Sequence, residues 1–309
     1  MFSEDIRILI GNIEKVIIGK TEAIKLLLVG LLTNGHILIE DVPGLGKTML
    51  TLALAKSISG DFKRIQFTPD LLPSDVTGGF VYSAKTGEFD FRKGPVFTNL
   101  LLADEINRTT PRTQSALLES MQEFKVTVDG RNFPLPRPFL VVATQNPIEY
   151  QGTYPLPEAQ IDRFLMKIDV GYLSVEEEIK VMSGQKVKHP IEDLGPVMDL
   201  EKVMALQEAV KQIDVSPNVL EYIAQLVGAT RVKKEDIRLG ASPRGSLSLM
   251  KASCAWAFLE GRDFVIPEDV VKLAVWVLKH RLILQPRLAI AGRTPEDVVV
   301  ELIKTTPIP

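Results

Sequence analysis

The stretch Asp41-Val42-Pro43-Gly44-Leu45-Gly46-Lys47-Thr48 follows an apolar run, His36 to Glu40, and leads into a helical pattern, Thr48 to Ser59. A strand, a glycine loop and a helix in that order form the setting in which a backbone nest grips phosphate. Gly44 and Gly46 let the chain curl so that successive N–H groups point inward, and the helix N-terminus adds its positive end at the same place. Val42, Pro43, Leu45 and Met49 belong to the same cradle. Lys47 is placed to reach the β- and γ-phosphates, and the Thr48 hydroxyl to take one site on Mg²⁺. The position where such loops usually carry a first glycine is Asp41.

Further along, Leu100-Leu101-Leu102-Ala103-Asp104-Glu105 is an apolar strand that ends in two carboxylates. Desolvated acids at a strand end need a compensating charge, and a magnesium nucleotide beside the phosphate loop supplies one. On this reading Asp104 holds Mg²⁺ and Glu105 polarises the water that attacks the γ-phosphate. The run Phe139 to Thr144 leads to Gln145-Asn146-Pro147, which brings the Asn146 amide to the same carboxyl ends of strands, where it would orient that water.

These runs belong to a longer alternation. His36 to Glu40, Lys63 to Phe67, Asn99 to Ala103, Phe139 to Thr144 and Phe164 to Asp169 read as five short apolar strands. Between and around them Glu22 to Thr33, Thr48 to Ser59, Pro111 to Glu123 and Val175 to Gly184 read as helices, the last opened by the capping residue Ser174. The pattern predicts an α/β fold, a five-stranded parallel P-loop sheet with helices on both faces. Gly79 to Phe91 and Lys125 to Pro136 interrupt it as two inserted β-hairpins, the second turning at Asp129-Gly130. After Gln185 only helical periodicity remains: Leu200 to Gln212, Pro217 to Thr230, Pro243 to Glu260 and Pro267 to Arg281 predict a small all-α lid. Ser216-Pro217 and Ser242-Pro243 each offer a capping oxygen before a proline at the first helical position. The expected boundary separates a nucleotide-binding core, 1–187, from a helical lid, 188–309.

Composition narrows the function. With 36 basic and 39 acidic side chains the net charge is −3 and the pI about 5.8, and no basic stripe is evident. That argues against a nucleic-acid partner, whose phosphates are normally met by such a stripe. The start of the chain lacks a basic leader with an apolar core, and no apolar run approaches the roughly 20 residues of a membrane span. The single cysteine, Cys254, sits in an apolar helical pattern and reads as a buried thiol in a reducing compartment such as the cytoplasm. His36, His189 and His280 lack metal-ligand spacing and read as structural or solvated, while Trp256 and Trp276 on apolar helical faces read as core.

Taken together the chain resembles the AAA+ ATPases, and within them the MoxR family. The likeness rests on Glu40 to Thr48, Asp104-Glu105-Ile106-Asn107-Arg108, Thr113 to Glu119, Ala143 to Pro147 and Pro157-Glu158-Ala159-Gln160-Ile161-Asp162-Arg163-Phe164. The resemblance implies that Arg163 is an arginine finger reaching a neighbouring subunit's nucleotide, and that Arg244, in Ser-Pro-Arg-Gly, is a second sensor bound to the γ-phosphate. Physical reasoning agrees with both placements: a cation in the first turn of a helix calls for an anion nearby, and a long rigid fork suits charge across a boundary. Val16-Ile17-Ile18-Gly19 matches the segment that covers adenine, with Lys20 where a glutamine is common. The family further implies ATP and Mg²⁺ as ligands and a homo-oligomeric ring of six copies. It also implies a von Willebrand factor A domain partner and the remodelling of a protein client. Two other readings are a helicase-like nucleic-acid motor and a nucleotide-gated assembly scaffold. Salt-sensitive stimulation of ATPase by DNA or RNA would mark the first, and insensitivity of function to Glu105→Gln the second.

Overall fold

A computed structural model of the protein describes residues 2–42, 44–85, 87–146, 154–186 and 188–308. In chain order the helices are α1 (Phe2–Glu14), α2 (Thr21–Leu32), α3 (Lys47–Ser57), α4 (Pro73–Thr77), α5 (Pro111–Glu123), α6 (Glu158–Ile161) and α7 (Val175–Gly184). They continue as α8 (Leu200–Val210), α9 (Pro217–Val232), α10 (Pro243–Leu259), α11 (Pro267–Leu278), α12 (Pro286–Ile290) and α13 (Pro295–Thr305). The strands are β1 (Ile37–Glu40), β2 (Phe62–Gln66), β3 (Gly78–Ser83), β4 (Glu88–Lys93), β5 (Leu100–Asp104) and β6 (Lys125–Val128). After them come β7 (Arg131–Pro134), β8 (Leu140–Gln145), β9 (Met166–Ile168), β10 (Ile237–Leu239) and β11 (Ile283–Leu284).

Five strands pair side by side in the order β2-β5-β8-β1-β9, every pairing parallel. Both faces of the sheet are buried, which is why the central strands are apolar throughout rather than alternating. Side chains still alternate between two cores. Ile37 and Ile39 of β1, Leu100 and Leu102 of β5, and Leu140 and Val142 of β8 join a cluster with α1, α2, α3 and the C-terminal helices. Leu38, Leu101, Ala103, Val141 and Ala143 face the other way, onto α5 and the hairpins.

The inserted hairpins are β3–β4 and β6–β7, both antiparallel. Asp129 and Gly130 have φ of 48° and 74°, the double left-handed turn that suits the twist of a two-residue hairpin. Phe91 and Phe133 stack across the two hairpins with centroids 3.8 Å apart and planes 12° off parallel. The C-terminal region carries the four expected helices, α8 to α11, and adds α12, α13 and a ribbon to them. A short antiparallel ribbon, β10–β11, joins the region after α9 to the segment after α11. The caps predicted at Ser174, Ser216 and Ser242 are present, each hydroxyl accepting a backbone N–H of the first turn. No described helix is long and apolar enough to cross a membrane.

Candidate functional site

The carboxyl ends of β1, β5 and β8 open onto a cleft of about 390 Å³. Gly44, Leu45, Gly46, Lys47 and Thr48 form one wall, and Arg64, Gln66, Asp104, Glu105, Thr144 and Asn146 the other. Adjacent parallel strands end at the same level, so β5 delivers its two acids opposite the loop that follows β1. Gly44 and Gly46 have φ of 89° and 78°, left-handed values that a side chain would strain. Pro43 and Pro147 lie outside the described residues.

Asp41 has no left-handed φ, so the backbone does not require glycine there. Its side chain instead ties three backbone donors. Oδ1 accepts from the Val42 N–H at 3.1 Å, and Oδ2 from those of Val170 and Gly171 at 2.7 and 2.9 Å. The carbonyl of Asp41 accepts from Lys47 Nζ at 2.6 Å. Burial pulls the Lys47 pKa below its ordinary value, while Asp41, Asp104 and Glu105 push it back up.

Both acids are held by neighbouring strand ends. Arg64 donates to Asp104 Oδ2 through Nη2 at 2.6 Å and Nε at 3.2 Å. Asp104 Oδ1 accepts from the Thr144 hydroxyl at 2.6 Å, and that hydroxyl accepts from the Glu105 N–H at 2.8 Å. Glu105 itself sits at φ 56°, ψ 51°, a conformation costing a non-glycine residue about 1–3 kcal/mol. Its carboxylate accepts from Gln66 Nε2 at 2.7 Å and Arg108 Nη1 at 2.9 Å. Asn146 is buried at the end of β8.

A second cleft of about 390 Å³ adjoins the first across Gly44, Leu45 and Gly46. Its lining is largely apolar, with Val16, Ile17, Ile18, Met49, Leu50, Val170, Leu173 and Val181 around Lys20, Glu178, Gln185 and His189. Such a surface suits a flat base next to a phosphate loop. Ile18 and Met49 line it; Gly19 does not, and packs instead against Glu177, which would collide with any side chain at 19. Val42 lines neither of these two clefts, and its N–H donates to Asp41. Lys20, which also lines the cleft, donates from Nζ to the Tyr172 carbonyl at 2.7 Å and so braces its wall.

Arg163 and Arg244 line neither cleft. Arg244 Nη1 lies 3.9 Å from Asp162 Oδ2, next in sequence to Arg163. Among the described residues no cluster of three or more His, Cys, Asp or Glu is able to cage an ion. A hydroxyl at 48 and a carboxylate at 104 on one cleft fit Mg²⁺ carried in on phosphate oxygens and water.

The chain matches the family model described as "ATPase family associated with various cellular activities (AAA)" over residues 36–166, and that of the AAA lid domain over 228–302. It is 44% identical to Chaperone MoxR1 of Mycobacterium tuberculosis over 97% of this chain and 81% of that one. It is 30% identical to Protein MoxR of Methylorubrum extorquens, over 96% and 93%.

The chain belongs to the MoxR family of AAA+ ATPases.

An uncharacterized protein, YeaC of Bacillus subtilis, shares 52% identity over 100% of this chain and 97% of its own. A crystal structure of a candidate ATPase from Cytophaga hutchinsonii superposes with a TM-score of 0.92 at 41% identity, covering 100% of this chain and 96% of that one. As a MoxR-family member the protein is a nucleotide-binding ATP hydrolase with an AAA core and a helical lid. Arg64, Gln66 and Thr144 were not singled out in the sequence. The available signal was positional: Gln66 and Thr144 lie at the carboxyl ends of the strands on either side of β5, and Arg64 in the middle of β2.

Proposed function

We propose that this ATPase works as a ring of six copies that remodels a protein client, with ATP held in the two adjoining clefts. The observation that carries the chemistry is the convergence of Asp104 and Glu105 on Gly44 to Thr48 in one cleft. ATP would lay its base against Ile18 and Met49 and its phosphates in the nest of Val42 to Thr48. Magnesium, held by Thr48 and Asp104, would neutralise charge on the β- and γ-phosphates. Glu105 accepts the proton of the attacking water as the water oxygen bonds to the γ-phosphorus and ADP leaves. Asn146 orients that water, and Lys47 balances the phosphate charge. Arg163 serves the nucleotide of the next subunit, and Arg244 converts phosphate loss into movement of the lid, the region from about 188 onward.

The exposed Tyr82 and Phe89, paired across the first hairpin with centroids 5.5 Å apart, supply a rigid aromatic grip for a client. We assign the protein to the cytoplasm from its single cysteine, and to a von Willebrand factor A domain partner on family grounds. Glu105→Gln tests the chemistry: ATP affinity should stay within about threefold while kcat falls by about 10²-fold or more. Undiminished turnover would remove Glu105 from its role. Light scattering at saturating Mg-ATP should report an assembly; a monomer there would dismiss the ring.

A further inference from the structure

The three-residue turn Lys279–Arg281, directly after α11, grips β9 from both ends. Lys279 Nζ donates to Asp169 Oδ2 at 2.6 Å, just past the strand. Arg281, only 6% exposed, reaches the residues before it. Its Nε donates to Asp162 Oδ1 at 2.8 Å, Nη2 to the Phe164 carbonyl at 2.6 Å, and Nη1 to the Leu165 carbonyl at 3.1 Å. Nη2 also donates to Ser248 Oγ on α10 at 3.2 Å. Burial lowers the Arg281 pKa to about 10, and Asp162 opposes that shift, so the guanidinium stays charged at neutral pH.

Asp162 has a second oxygen, and it faces the lid as well. Oδ2 accepts from Ser242 Oγ, the cap of α10, at 3.1 Å, and stands 3.9 Å from Arg244 Nη1. One carboxylate therefore touches the buried Arg281, the start of the helix that carries Arg244, and Arg244 itself. It is also the residue immediately before Arg163. A buried ion pair adds little net stability, because desolvation offsets attraction. A rigid fork on a carboxylate and on the Phe164 and Leu165 carbonyls does fix geometry.

We propose that Asp162 and Arg281 are positioning residues that lock Arg163 and Arg244 to one anchor. Displacing the lid then shifts the reach of Arg163 toward the neighbouring subunit, and loading of that neighbour feeds back on the lid. This rests on the proposed reading of Arg163 as a residue acting in trans, and the test separates the two.

Steady-state ATPase is measured on the full chain, at concentrations where it is assembled, for Asp162→Asn, Arg281→Lys, Arg163→Ala and the double variant Asp162→Asn/Arg163→Ala, each with a thermal melt. Misplacing a charge-stabilising group by an ångström or so costs up to about 10²-fold in rate. Asp162→Asn is expected to lower kcat about tenfold or more, with KM moving less than about threefold. In the Arg163→Ala background the same change should cost less than about twofold, because its target is already gone. Arg281→Lys, which keeps the charge without the fork, should fall between wild type and Asp162→Asn. Equal losses from Asp162→Asn in both backgrounds would reduce the pair to scaffolding and overturn the proposal. Arg163→Ala with unchanged kcat would instead strike the trans reading, and the joint with it. Should Arg281→Lys fail to fold, Asp162→Asn still decides, since its side chain is 21% exposed and the replacement is isosteric.

Discussion

At the scale of single residues, the least expected feature of the site is Asp41, where phosphate loops usually begin with glycine. The carboxylate takes three backbone N–H groups, one from the loop and two from the segment after β9 that walls the second cleft. Hydrogen bonds to a charged group contribute about 1.5–3 kcal/mol each, and an orphaned donor costs a comparable amount. Restoring glycine is therefore expected to weaken the protein. Asp41→Gly should lower stability by about 2 kcal/mol in urea unfolding. It should also weaken ATP binding roughly tenfold, because the phosphate loop and the base wall lose their common tether. Titration with a fluorescent ATP analogue measures the second effect. Equal or tighter binding by the glycine variant would show that the tether does nothing for the ligand. Conversely, Glu105 keeps a strained backbone that Thr144, Gln66 and Arg108 hold in place, as expected where geometry serves chemistry.

Among elements, the two hairpins behave as a pair. Phe91 of β4 and Phe133 of β7 stack at 3.8 Å, and Phe80 lies 5.6 Å from Phe91 and 6.3 Å from Phe133, edge to the group. Nothing in the sequence links two hairpins some forty residues apart, because the contact depends on how α5 returns the chain. Phe133→Ala is expected to cost about 1–3 kcal/mol for a half-buried ring and to loosen both hairpins together. Hydrogen exchange should then speed up in β3 and β4 as well as in β6 and β7; acceleration confined to β6 and β7 would mean that the hairpins are independent. The parallel strands and long helices were legible because apolar runs and capping residues act locally. Pro111–Glu123 and Val175–Gly184 fell on the expected residues. Neither α1 nor α13 was among the expected helices, although in α1 Ile6, Leu9 and Ile13, buried on one face, carried a readable period. Thr294 and Asp297 at the start of α13 likewise form a readable capping box. The β10–β11 ribbon did not, since two or three residues give no periodicity. In the site, the phosphate loop and the acids announced themselves by spacing along the chain. Arg64, Gln66 and Thr144 enter only through the strand order β2-β5-β8, which is a property of the folded sheet.

For the molecule as a whole, the buried His36 and the partly buried His280 join parts far apart in sequence and set its response to acid. His36, 4% exposed, donates from Nε2 to the Met121 carbonyl at 2.9 Å and accepts the Val141 N–H on Nδ1 at 3.0 Å, linking the start of β1 to α5 and β8. One neutral tautomer satisfies both bonds, and a second ring proton would meet the Val141 N–H head on. Burial lowers its pKa from 6.5 to about 4. His280, partly buried beside Arg281, is shifted in the same direction by desolvation and by that cation. Because the folded values lie below the unfolded one, the unfolded chain binds the extra protons as pH falls from 6.5 toward 4. The stability these residues confer is thus complete above pH 6.5 and drains away below it. Each histidine adds a slope of up to about 1.4 kcal/mol per pH unit, on the order of 3 kcal/mol for His36 across its window. Urea midpoints followed from pH 7.5 to about 5, above the range where most carboxylates titrate, isolate the effect. His36→Gln should start lower at neutral pH, since it forfeits a packed ring and its bonds, and should show a shallower decline toward acid. Wild-type and variant curves running parallel through that interval would mean that the ring does not resist protonation in the folded state, and the account of how β1 is fastened to its neighbours would fail with it.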